Sequence, residues 1–296
     1  MTGNTGNTGN TGNTGNIGNV GNVGGGGGLF YPDRVDLPFT FAVLQGQNPP
    51  LDSDVTALRQ FPMPLWDQQW LSWLVLQDFA TTTWQTCPFS TQGAKIPTKL
   101  ADIEAELGTL EKAAIDERPD ALGEILAQAD EFLTYFIAVL GINTTAFPKT
   151  RQLLHIGNLV GSFAVMYYKA SVNRARPSQL MPALLPPIAV PGHASYPSGH
   201  STQAHLAAAC VALAIVDANG NPTATTVALA GVPGDPSKPG ALNVLADRIA
   251  RNREIAGLHF PSDSAAGVEL AAYCLNLLQG LKSFKAVVTA AQKEWQ

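Results

Sequence analysis

The pentapeptide Tyr196-Pro197-Ser198-Gly199-His200, followed by the almost wholly apolar run Ser201 to Val216, constrains this chain more than any other stretch. Pro197 breaks any helix arriving from upstream, Ser198 is a good N-cap, and the run behind it is built from helix formers. A helix of core length therefore starts here. Its first N–H groups carry partial positive charge, the Ser198 hydroxyl lies beside them, and Gly199 leaves the backbone open to close approach, which together make an anion site. His200, one residue on, can give or take a proton at that anion. Alone, the same five residues are also a common turn and helix-start device.

The rest of the chain reads as helices around this one. Trp66, Trp70 and Trp73 recur at helical spacing, a stripe that predicts core. Thr98 to Glu117 reads as an amphipathic helix with Ile103, Leu107, Leu110 and Ala114 on one side. Ala121 to Leu140 reads as a second, ended by Gly141, and Lys149 to Arg174 as a third with a broad apolar face. After a loop from about Asn219 to Gly240, helical patterns cover Ala241 to Ala256, Ser262 to Leu281 and a short final segment. Strand-type alternation is scarce, so the expected fold is all-α: a helical bundle with its site on loops and helix N-termini.

Residues 1–28 repeat Thr-Gly-Asn and drift into glycines, a composition that cannot offset chain entropy and predicts a flexible tail ahead of one catalytic domain over 29–296. Leu29 to about Pro64 is proline-rich and mixed in pattern, an irregular wrap. At 296 residues and 45% hydrophobic content the chain can bury a large core, and a net charge of -5 without basic clusters excludes a nucleic-acid surface. Cys87, Cys210 and Cys274 are scattered and odd in number, which predicts free thiols rather than a zinc or redox pair. No apolar run reaches membrane-span length and the start lacks a signal-peptide pattern, so the expectation is a soluble protein without a span, cytoplasmic or of unknown location.

Three segments carry the chemistry. Lys169 and Arg176-Pro177 are two cations seven residues apart, so both can lie on one helix face. Ser198-Gly199-His200 is the second segment. Arg253, His259 and Asp263 are the third, with Gly257 and Pro261 interrupting the helix so that His259 stands in a turn beside an acid that can hold its tautomer. Taken singly, each is an ordinary solvated or turn residue. Together they supply three positive charges, neutral donors, a nitrogen aimed at a central atom and a proton carrier, a cage for a tetrahedral or trigonal-bipyramidal oxyanion.

Lys169-x6-Arg176-Pro177, Pro197-Ser198-Gly199-His200 and Arg253-x5-His259-x3-Asp263 resemble the three-part signature of the superfamily uniting vanadium-dependent haloperoxidases, bacterial acid phosphatases and type 2 phosphatidic acid phosphatases. The resemblance spans Lys169 to Asp263, with Asn252 where a serine is usual, a position that can still donate a hydrogen bond. It implies that His259 is the phosphohistidine nucleophile or the vanadium ligand, that His200 is the acid-base partner, and that Lys169, Arg176, Ser198, Gly199 and Arg253 hold the oxyanion. His193, seven residues before His200, and Gln203 are similar to the algal bromoperoxidases. The resulting expectation is a vanadate-dependent haloperoxidase acting on bromide or chloride with hydrogen peroxide. The alternatives are a soluble acid phosphatase acting on phosphomonoesters and a non-catalytic phosphate-binding module. Partners are then small molecules, and the superfamily's bundles leave room for a homodimer. His155 and His205 read as satisfied core or surface histidines.

Overall fold

Helix α1 (Gln68–Ala80) comes first in the computed structural model, which describes residues 66–296 apart from 144, 218–220, 222, 233 and 234. The repeat tail and the proline-rich stretch up to residue 64 lie outside the described residues. α1 buries Leu71, Val75, Leu76 and Phe79, one face at helical spacing. This corrects the expectation of a tryptophan core: Trp70 and Trp73 are 41% and 39% exposed. The aliphatic row with Phe79 already fills the inner face, and the two indoles fall outside its arc.

Helix α2 (Leu100–Asp116) matches its amphipathic pattern, burying Leu107, Leu110 and Ala113. The single helix expected over 121–140 is two, α3 (Arg118–Asp130) and α4 (Leu133–Leu140). Glu131 turns extended between them and its carboxylate accepts the Leu133 N–H at 2.6 Å. A side chain thus satisfies one of the free donors that open α4. Gly141 ends α4 in the left-handed region at φ 63, as its glycine suggests.

Helix α5 (Pro148–Val172) stops short of Arg174, with Asn173 left-handed at φ 52. Lys169 and Arg176 therefore do not share one helix face. Lys169 sits in the last turn of α5, while Arg176 is the extended N-cap of the short α6 (Pro177–Leu180). Beyond α7 (Gly199–Ala212), the segment read as loop holds α8 (Ala224–Ala230) and a two-stranded antiparallel ribbon. Its strands are β1 (Gly231–Val232) and β2 (Asp235–Pro239), with Gly231 opposite Pro239. Thr223 Oγ1 caps α8 by accepting the Thr226 N–H at 3.0 Å, a local signal that apolar periodicity does not carry. Three further helices follow, α9 (Ala241–Ile255), α10 (Pro261–Gly280) and α11 (Lys282–Gln292). The fold is all-α apart from that ribbon among the described residues.

The core is organised around α7, which is buried along nearly its whole length and packs against α5, α9 and α10. Glycines let its neighbours come this close. A Cβ at Gly157 of α5 would lie 2.5 Å from the Ala207 Cα, and one at Gly161 would lie 3.1 Å from the Gln203 Cα. On the α10 side, a Cβ at Gly267 would stand 2.7 Å from the Ser201 Cβ. Between α5 and α7 the Gln203 amide donates to Asn158 Oδ1 at 2.7 Å, so the buried polar pair is satisfied. Cys210 and Cys274 are buried free thiols and Cys87 a partly buried one. No helix among the described residues is long and apolar enough to cross a membrane.

This packing gives a pair of opposite expectations. Gly157→Ala forces a methyl group into backbone and lowers unfolding free energy by about 1–3 kcal/mol. Gly108→Ala, in α2 with nothing within 4 Å of its added Cβ, raises it by about 0.5–1 kcal/mol. Urea midpoints of the two variants check both signs.

Candidate active site

Asp263 is the hub at which the three sequence segments meet. Pro261 sits at the start of α10 and Asp263 in its first turn, where the helix dipole favours a negative charge. Its backbone carbonyl accepts the Ser198 N–H at 2.9 Å. Its carboxylate Oδ2 accepts the Phe260 N–H at 3.0 Å and the Ser195 hydroxyl, and lies 3.3 Å from His259 Nδ1. Oδ1 accepts from Arg174 Nη1 at 2.7 Å. Burial alone would raise this carboxyl, but hydrogen bonds and charges from His259, Arg174 and Ser195 outweigh it and hold the pKa at about 2.

His259 stands in the turn between α9 and α10, as its flanking Gly257 and Pro261 suggest. Gly257 is left-handed at φ 74 and the Leu258 N–H returns to the Arg253 carbonyl at 3.0 Å, which closes α9. The ring is 4% exposed. Burial pushes its pKa down to about 3, with Arg176 and Lys169 acting in the same direction and Asp263 opposing them. With Nδ1 against a carboxylate, the neutral ring carries its proton there and leaves Nε2 with a lone pair.

Lys169, Arg176 and Arg253 are each almost wholly buried. None of them pairs with a carboxylate among the described residues; backbone carbonyls hold them instead. Lys169 Nζ donates to the Ala194 and Ser195 carbonyls, both at 2.8 Å. Arg176 donates to the His193 and Leu258 carbonyls, both at 2.9 Å. Arg253 donates from Nη2 to the Ile125 carbonyl at 2.8 Å, while its Nε and Nη1 are buried without a partner. Burial lowers the Lys169 ammonium well below its ordinary value and brings both guanidinium groups to about 10. Among Arg248, Arg251 and Arg253, only Arg253 turns inward. Arg248 pairs with Glu124, and Arg251 with Glu117 and Glu254.

Ser198 caps α7, its Oγ accepting the Ser201 N–H at 3.4 Å. At Gly199 an added Cβ would meet only Gln203 Oε1 at 3.6 Å and Val165 at 4.0 Å, so internal packing does not account for a glycine there. His200 lies against Phe132 with Nε2 3.1 Å from the Gln128 carbonyl. Burial, then Arg253, His259 and Lys169, push its pKa well below the usual histidine value. When Nε2–H donates to that carbonyl, Nδ1 is the nitrogen left to take a proton. Asn252 does not donate into the site. Its amide reaches Gln128 Oε1 at 2.8 Å and Glu124 at 3.0 Å, and so braces the residue whose carbonyl holds His200.

His193 lies at the edge of the cage, with Nδ1 3.1 Å from Arg176 Nη2 and Nε2 buried without a partner. Burial and then Lys169 bring it to about 4, so it is neutral at pH 7. Together with Arg174, Arg176 and Gln179 it lines a cavity of about 380 Å³. His205 is satisfied by the Ser201 carbonyl and Asp247. The site residues that sequence patterns miss are Arg174, Ser195 and Gln128. Their partners lie on other elements, so no local spacing marks them.

No protein-family model matches the chain, and no curated protein matches it. Among solved structures, it is similar to a transmembrane phosphatidylglycerolphosphate phosphatase of the PAP2 type from Bacillus subtilis. The two share 18% identity and a TM-score of 0.44 over 71% of this chain and 95% of the other.

The histidines make the protein acid-sensitive. His259 and His193 bind protons at about 3 and 4 when folded but near the ordinary 6.5 when unfolded. Below pH 6.5 the unfolded chain therefore holds more protons, and stability falls as pH drops. Asp263 acts the same way lower down, its contribution complete above 3.8 and lost towards 2. In phosphate-free buffer, unfolding free energy from urea titrations falls by a few kcal/mol between pH 7 and 4. His259→Asn flattens that decline, and an unchanged slope would refute the assignment.

Proposed function

We propose that this chain is an enzyme that binds a tetrahedral oxyanion and works on it through His259, as the superfamily it resembles does. One observation carries the reading: Arg253 is fully buried with two guanidinium nitrogens, Nε and Nη1, unpartnered. Such donors are costly to leave unmade, and an oxyanion offers the several lone pairs that satisfy them. The donor set supports the same conclusion. It combines one histidine nitrogen with N–H and ammonium donors, and the described residues include no group of three His, Cys, Asp or Glu suited to a metal cation.

The chain's own groups divide the work. Lys169, Arg176, Arg253, Ser198 and Gly199 hold the anion and stabilise charge that builds on its oxygens. Asp263 keeps the His259 proton on Nδ1, so Nε2 is available at neutral pH. His200 exchanges a proton through Nδ1. Burial and then the cations depress its proton affinity, and a bound dianion offsets the second of these, so anion binding raises it.

We assign the reaction to vanadate-dependent oxidation of bromide or chloride by hydrogen peroxide, with His193 as the favouring observation. It presents a neutral ring, bonded to Arg176, at the edge of the cage and on a small cavity. Vanadate would be held by the same five residues with His259 as its ligand, and when bound it supplies Lewis-acid activation of the peroxide. His193 and His200 would be the residues placed to exchange protons there.

The second reading, phosphomonoester hydrolysis, is favoured by the His259–Asp263 pair. Here Nε2 attacks phosphorus, a P–N bond forms as the ester P–O bond breaks, and His200 gives its proton to the leaving alkoxide. Water then cleaves the phosphohistidine.

Bromination of a chlorinated diketone, with bromide and peroxide and phosphate-free protein before and after orthovanadate, separates the two. Activity that needs vanadate and falls on adding phosphate supports the haloperoxidase. Aryl phosphate hydrolysis that vanadate inhibits supports the phosphatase. Neither activity, with phosphate still raising the melting temperature, identifies a binding module and refutes both. In either enzyme His200→Gln lowers kcat by about 10²–10⁴-fold, and Arg253→Met weakens vanadate or phosphate binding by at least about 30-fold.

A further inference from the structure

Arg174 takes no part in the oxyanion cage described above, yet it pairs with two carboxylates, Glu106 and Asp263. It is 9% exposed at its side chain. Its guanidinium lies 3.8 Å over the centroid of the Phe260 ring. Nη1 donates to Ser262 Oγ and Asp263 Oδ1, both at 2.7 Å, and Nη2 donates to Glu106 Oε2 at 2.8 Å. The other Glu106 oxygen accepts the Ser262 N–H at 3.0 Å. Glu106 of α2 thus clamps both the arginine and the first turn of α10.

This clamp bears on one degree of freedom in the site. A carboxylate turns easily about its terminal torsion, which is broad and nearly two-fold. Arg174 occupies Oδ1, so Oδ2 alone is left to receive Ser195, the Phe260 N–H and His259 Nδ1. The guanidinium fork is planar and stacked, and its two arms are held by carboxylates on different helices, so it cannot follow the carboxylate if that group turns.

We propose that Arg174 is a positioning residue: by fixing the Asp263 carboxylate it sets the His259 tautomer, keeping the proton on Nδ1 and the lone pair on Nε2. Arg174 itself touches neither His259 nor the oxyanion donors. The inference rests on the reading of His259 as nucleophile or ligand, but its first test does not depend on turnover.

The test is nitrogen NMR of the full chain, labelled at histidine and free of phosphate and vanadate. The unsubstituted protein shows His259 as a single Nδ1–H tautomer. Arg174→Gln, which keeps size and polarity but removes the charge and the fork, gives a mixture of tautomers. Arg174→Lys, which returns the charge without the second arm, gives a smaller admixture. For whichever turnover the protein shows, Arg174→Gln lowers kcat by about 10–100-fold with KM within about threefold, and Arg174→Lys recovers part of it. Glu106→Gln, which loosens only the outer arm, shifts both readouts in the same direction by less. An unaltered tautomer and unaltered kcat in Arg174→Gln would overturn the proposal. If that variant does not fold, unaltered values in both Arg174→Lys and Glu106→Gln overturn it instead. Should the protein show neither enzymatic activity, the tautomer readout still decides the role of Arg174 while the proposed function fails separately.

Discussion

The contacts of Asp263 are the constraint on which the site depends. A single buried aspartate joins the α7 cap through its carbonyl, the loop before that cap through Ser195, the His259 turn through its side chain, and the end of the α5 segment through Arg174. A buried carboxylate is tolerable only when its lone pairs are filled, and here both oxygens are engaged. The same saturation gives the histidine a fixed orientation, so the requirement of folding and the requirement of the proposed chemistry are met by one set of bonds.

The three cage cations follow the opposite logic. Lys169, Arg176 and Arg253 are buried against carbonyls, which offset part of the desolvation cost, and none pairs directly with a carboxylate among the described residues. Burial first, and then the neighbouring positive charges, lower proton affinities throughout the site, in Lys169, His200 and His259 alike. A neutral interior would have no use for this arrangement. An anion that entered it would relieve the strain of all three charges at once, which is why the proposed function takes an oxyanion rather than a neutral ligand.

The scaffold that makes such a cage rigid is the close contact of α5 and α10 with α7. Gly157, Gly161 and Gly267 remove side chains where backbone meets backbone. Two site residues sit at the ends of these packed helices: Lys169 in the last turn of α5, and Asp263 in the first turn of α10. Ser198 and His200 open α7 itself. Displacing one helix moves its site residue with it, so dense packing and site geometry are the same property.

Several features were legible in the sequence because they are local. Proline, a serine cap and an apolar run define the start of α7, Gly141 and Gly257 mark ends, and the 3.6-residue period gives nearly every long helix. Other features were not, because they are decided by partners distant in the chain. The outward tryptophans of α1 depend on which face the bundle offers, and the break at Glu131 depends on a carboxylate turning back to a backbone donor. The inward turn of Arg253 beside the outward Arg248 and Arg251 depends on the position of α3. By itself the sequence determined the all-α class, the helix that organises the core and the residue types of the proposed oxyanion cage. Only the tertiary structure decided that Lys169 and Arg176 converge from different elements, that Asn252 braces Gln128, and that Arg174 and Ser195 belong with Asp263. Periodicity reports which side of a helix is apolar, whereas hydrogen-bond partners are chosen by the packing of segments that the chain itself keeps far apart.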